Sequence, residues 1–101
     1  MIKIINGKKY DTNTATLIAQ RKTNLDEDEL REEEYLYRKK TGEFFMHARG
    51  GESSVYFVLD ENSDPIPAEH IIPLSIDDAK RYCEYVLTGE EYIAVFGDVE
   101  E

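Results

Sequence analysis

Seven carboxylates crowd into nine residues, Asp26, Glu27, Asp28, Glu29, Glu32, Glu33 and Glu34, and Arg38, Lys39 and Lys40 follow at once. Such a run has two readings. It is a solvated, self-repelling face, or it sets carboxylates where the phosphates of a nucleic acid would sit and is steered by its own field into an arginine-lined groove. Tyr35 and Tyr37 adjoin the block, and amphipathic rings of this kind are enriched among interface hot spots, so Asp26 to Tyr37 holds the candidate partner-binding residues. A second constellation has the opposite sign. Arg38, Lys39, Lys40 and Arg49 with Tyr37, Phe45 and His47 would make a basic-aromatic platform able to touch RNA, or else an ordinary exposed hairpin.

Other reactive side chains are sparse. His47 and His70 are too few for a self-contained histidine metal site, although His47 with Glu43 or Glu52 would suit a metal-dependent or acid-base nuclease. A lone strand histidine is more often a structural or solvent-facing one. Asp60, Asn62 and Asp64 imitate the first ligands of a calcium loop, but Pro65 occupies the glycine position and Ile71 the place of the bidentate glutamate. Cys83, on the helix, reads as a small core residue, as free cysteines often are, and not as a catalytic thiol. No glycine falls at the spacing of a phosphate loop, a dinucleotide fingerprint or a nucleophile elbow. No catalytic residue, metal ligand or cofactor is assigned.

The chain that must position these groups has 101 residues, enough for a single domain over 1–101, and 41% hydrophobic residues, enough for one core. The net charge of −10 argues against an ordinary nucleic-acid binder and for a basic protein partner, leaving the Arg38–Arg49 hairpin as the one segment suited to nucleic acid. Charge is also split. Residues 1–49 carry ten basic and nine acidic side chains, whereas residues 50–101 carry Lys80 and Arg81 against thirteen acids. One cysteine excludes a disulfide framework, and no apolar stretch suits export or membrane spanning, so a cytoplasmic protein without membrane contact is expected.

Ile2, Ile4 and Ile5 before Asn6-Gly7 predict a strand and a type I′ turn, with Tyr10 on the return strand. Residues 11–22 are ambiguous: Asp11 or Thr12 can cap a helical turn, yet Thr14, Thr16 and Ile18 favour extended chain. Residues 24–34 read as a turn of helix or a loop. Residues 34–49 predict a β-hairpin around Thr41-Gly42-Glu43, with Tyr35, Tyr37, Phe45 and His47 among aromatics on both faces, one of which is a candidate binding face. SVYFVL (54–59) is a further strand candidate, DENSDPIPAEH reads as irregular surface, and Ile71-Ile72 as a short extended segment. Ser75 caps a helix that carries Ile76, Ala79, Cys83, Val86 and Leu87 on one face and stops at Gly89. A second short helix follows, ending at Gly97. The sum is α+β: a small, largely antiparallel sheet with one or two C-terminal helices packed on one face.

The strings GKKYDTNTATLIA, YLYRKKTGEFFMHARGG, IIPLSIDDAKRYCE and EEYIAVFGDVEE, spread from Gly7 to Glu101, resemble small acidic proteins carried by bacterial plasmids, conjugative elements and phages, among them type II-A anti-CRISPR inhibitors. The resemblance implies an inhibitor that binds the CRISPR effector nuclease and blocks guide-RNA loading. A related class truncates the guide RNA instead. Relatives of this look often carry a bulkier polar loop after the paired glycines, where this chain has ESSVYFVLDENSDPIP. The motifs include no catalytic signature, and a mobile-element assembly or regulatory protein is the blander reading of the same resemblance.

Overall fold

The computed structural model describes residues 1–101. Strands β1 (Ile2–Ile5) and β2 (Lys8–Asp11) form the predicted hairpin, and positive φ at both Asn6 (51°) and Gly7 (76°) is what a type I′ turn requires. The main sheet is built from β3 (Thr16–Thr23), β4 (Glu32–Arg38), β5 (Phe44–Gly50) and β8 (Ala68–Leu74), antiparallel throughout in the order β3-β4-β5-β8. Between β5 and β8 a short two-stranded arm projects, β6 (Val58–Leu59) and β7 (Pro65–Ile66). Helices α1 (Ile76–Val86) and α2 (Gly89–Phe96) complete the α+β fold on one face of the main sheet. Neither helix is long and apolar enough to cross a membrane.

Alternation along the strands divides the sheet into two faces. Leu36, Phe44, Met46 and Ala48 meet Ala79 and Cys83 of α1, and both helix residues are fully buried because their small side chains allow close approach. A register shift between Leu17 and Ala19 lets the adjacent Ile18 and Ala19 both reach this core. On the opposite face Phe45 is fully buried, edge-on to Tyr10 and stacked on Tyr37 with ring centroids 5.4 and 5.3 Å apart. The β1–β2 hairpin therefore covers that end of the second face, and Lys39 closes over Tyr10 at 3.7 Å.

Three local expectations are corrected. The stretch 54–59 is extended over Val58–Leu59 alone, because Ser54 Oγ donates to the Gly51 carbonyl and accepts the Tyr56 N–H, a local turn that competes with pairing. The segment 60–70 is not irregular throughout: it supplies β7 and the start of β8. Gly89 does not stop α1, which ends at Val86 with Leu87 as its cap. It opens α2, whose Thr88–Glu91 capping box satisfies both backbone donors. Where the sequence left two readings open, residues 24–31 take the loop, as a series of turns, and the 11–22 stretch becomes a turn held by Asp11 followed by β3. Ser75 caps α1 through Asp78 N–H, and Gly97 ends α2 with φ 92°, as the sequence indicates.

Candidate partner-binding surface

The structure splits the acidic block in two. Glu32, Glu33 and Glu34 lie on β4, where alternation sends Glu33 to the open face and its neighbour to the helix face. Register then sets Lys22, Glu33, Arg49 and Glu69 side by side across the four strands, a row of alternating sign. Arg49 Nε and Nη2 donate to the two Glu33 oxygens at 2.9 and 3.0 Å, Arg31 Nε adds a bond at 3.2 Å, and the Tyr35 hydroxyl donates at 2.6 Å. These donors, Arg49 first and Tyr35 next, hold the Glu33 carboxyl down at about 2. Glu34, on the helix face, accepts from Arg21 Nε at 2.7 Å, from Tyr82 at 3.3 Å and from the Tyr56 hydroxyl. Burial alone would raise its pKa, but the bonds from Arg21 and Tyr56 outweigh that and leave it below the usual value. Burial and the same carboxylate keep both tyrosine hydroxyls protonated.

Glu33 and Glu34 are therefore neutralised inside the fold and do not present charge to a partner, and Glu32 contacts Arg21 and the Val55 N–H. Tyr37 is taken up by packing on Phe45, while Tyr35 rests against His47 with its hydroxyl on Glu33. Of the sequence candidates, the side chains offered to solvent with no ion pair are Asp26, Glu27, Asp28 and Glu29.

The loop that carries these four is fixed by its backbone. Gly51 N–H donates to the Arg31 carbonyl at 3.0 Å and Ser53 N–H to the Glu29 carbonyl at 2.8 Å. Within the loop, Glu27, Leu30 and Arg31 N–H groups bond to Asn24, Glu27 and Asp28 carbonyls. Gly51 is buried directly beneath, and a Cβ there would overlap the Asp28 and Glu29 carbonyl oxygens. Asp28, Arg31, Glu33, Arg49, Glu52 and Pro67 line a cleft of about 290 Å³ beside this contact, its two guanidinium groups already engaged by Glu33.

The basic-aromatic platform is partly self-neutralised. Arg49 is held by Glu33, Lys39 lies near Glu43 and His47 Nε2 lies 2.8 Å from Glu69 Oε1, which leaves Lys40 and Arg38, the latter over the Phe44 ring, without an ion pair. Glu43 is bound to Lys8 and does not join His47, and no group of three or more His, Cys, Asp or Glu side chains is placed to hold a metal ion. Asp60 Oδ1 instead accepts the Asn62 and Asp64 N–H groups, so the calcium-like spacing encodes the tip of the β6–β7 arm. Cys83 is buried in the core, which raises its thiol pKa.

Sequence reasoning passed over the Arg21–Glu34–Tyr56–Tyr82 cluster, the role of Gly51 and the arm. The first was within reach, since carrying the Thr41-Gly42-Glu43 hairpin to its end pairs Glu33 with Arg49 and puts Glu34 on the core side.

Because the Glu33 carboxyl is depressed when folded, it adds stability above its unfolded pKa that is lost as pH falls from about 4.5 through about 2. With Arg49 half exposed, the contribution is about 2 kcal/mol. Urea unfolding of wild type and Glu33→Gln should show that gap at pH 7 and a much smaller one at pH 3. An equal gap at both would sink this account.

No protein-family model, curated protein or solved structure matches this chain.

Proposed function

We propose that the protein is a non-enzymatic inhibitor that sets a fixed array of carboxylates into the cationic groove of a nucleic-acid-handling protein. The observation that carries this reading is the loop Asp26–Glu29: exposed, unpaired and held in one backbone conformation, so little ordering entropy is lost on binding. The rest of the charge distribution supports it. Lys8, Lys9, Arg21, Arg31, Lys39, Arg49 and Arg81 are all engaged by carboxylates, so the surplus of charge behind the net −10 sits on exposed acids. A surface of this kind attracts a basic groove over a Debye length, about 10 Å at 0.1 M salt. The anti-CRISPR resemblance makes a type II CRISPR effector nuclease in the bacterial cytoplasm the first partner to test, with guide RNA excluded by competition.

The test is guide-RNA loading onto the purified apo effector, with complex and RNA length read on one gel. Loss of complex with full-length RNA is the expected result. Shortened RNA would overturn the proposal in favour of RNA cleavage, with His47 the first residue to replace. Undisturbed loading would also overturn it and point to another basic partner. Neutralising the loop with Asp26→Asn, Glu27→Gln, Asp28→Asn and Glu29→Gln together should weaken effector binding about tenfold, mainly through a slower on-rate, and flatten its salt dependence. Unchanged affinity would move the interface elsewhere.

A further inference from the structure

The β6–β7 arm, roughly a dozen residues springing from the same end of the sheet as the acidic loop, exposes Val55, Phe57, Val58, Leu59 and Ile66, with Val55 at 74% and Leu59 at 57%. A polar arm would satisfy its backbone equally well, and clustered exposed apolar groups mark contact sites. We propose that this arm is an apolar anchor for a basic partner: it enters an apolar recess bordered by lysine or arginine, while the neighbouring carboxylates engage the surrounding cations. The inference rests on the acidic-surface reading above and adds the contact that would give it residence time.

Two features carry it. The first is rigidity. A two-residue strand pair is marginal alone, yet this one is closed at its tip by Asp60 and bolted at its root, where the Tyr56 hydroxyl reaches Glu34 and His70 Nε2 lies 2.8 Å from the Tyr56 carbonyl oxygen. The apolar side chains are thus presented on a preorganised element. The second is charge. Glu52, Asp60, Glu61 and Asp64 accompany the arm, and no lysine or arginine occurs between Arg49 and Lys80. A second copy would bring like charges together, and an anionic lipid surface would repel the arm, whereas a basic protein surface complements it.

The test needs no knowledge of the natural partner. Wild type and the Val55→Ser/Leu59→Ser variant, altered at two exposed positions, are titrated with an amphipathic peptide of leucine and lysine and with its counterpart in which serine replaces leucine. The variant should bind the leucine peptide about tenfold more weakly than wild type, through faster dissociation and with the same salt slope, and the serine peptide equally. Equal binding of the leucine peptide by both proteins would overturn the proposal. So would a concentration-dependent dimer in sedimentation that the variant abolishes, since that assigns the arm to a second copy. Failure of the effector experiment leaves this comparison intact, so the two readings fall separately.

Discussion

Glu34→Ala is expected to lower unfolding free energy by about 3 to 4 kcal/mol, a large part of the 5 to 15 typical of a small domain. The carboxylate is buried and is shared by Arg21 from β3, Tyr82 from α1 and Tyr56 from the root of the arm. Removing it strands three donors, each costing roughly 1 to 3 kcal/mol when left unpaired, although Arg21 keeps Glu32 and some access to water. Glu34→Gln retains one acceptor oxygen and should cost about half as much. Urea unfolding measures both. The two variants also separate the charge from the hydrogen bonds, since equal losses would mean that the ion pair alone matters. Hydrogen exchange should report a second consequence in the alanine variant: with Tyr56 released, amides of the arm lose protection while those at the centre of β4 and β5 keep theirs. A charge-reversing triple substitution at Glu32, Glu33 and Glu34 would therefore test folding before binding, which is why the loop Asp26–Glu29 is the place to test the acidic surface.

How far this was legible follows from what each signal depends on. The β4–β5 hairpin, the Asn6-Gly7 turn and the Ser75 cap are local devices, set by residues within a few positions of one another, and the sequence states them openly. The acidic run is different. As a string it is one charged block, but β pairing begins within it at Glu32, and from there each carboxylate faces a different environment fixed by strands and a helix up to 48 residues away. The same holds for Gly89, where the capping box beyond it overrides the stop that a glycine suggests, and for Pro65 and Pro67, which break regular patterns yet flank or enter strands in edge positions where no donor is needed. Tertiary partners decided these cases, and a single sequence does not name them.

Gly51 gives the sharpest link between the fold and the proposed surface. Its backbone is not left-handed, so glycine is required there for space alone: a methyl group would occupy the position of the Asp28 and Glu29 carbonyl oxygens, which cannot withdraw without breaking the bonds they accept from Arg31 N–H and Ser53 N–H, the contacts that shape and hold the acidic loop. Gly51→Ala should accordingly cost about 3 kcal/mol, at the upper end of overpacking because backbone must move, and should raise hydrogen exchange at Ser53 and across 27–31. Gly89→Ala is the control. Nothing lies within 4 Å of a Cβ at Gly89, in the first turn of α2, so alanine there should leave stability unchanged or raise it by up to about 0.5 kcal/mol. The consequence for binding is what distinguishes a fixed array from a mere surplus of charge. Gly51→Ala keeps every carboxylate and the net charge, so long-range steering and the salt slope should persist, while affinity for the effector falls through faster dissociation as the loop loses its fixed geometry. If the alanine variant folds and binds as tightly as wild type, loop order contributes nothing and the acidic surface acts through net charge alone.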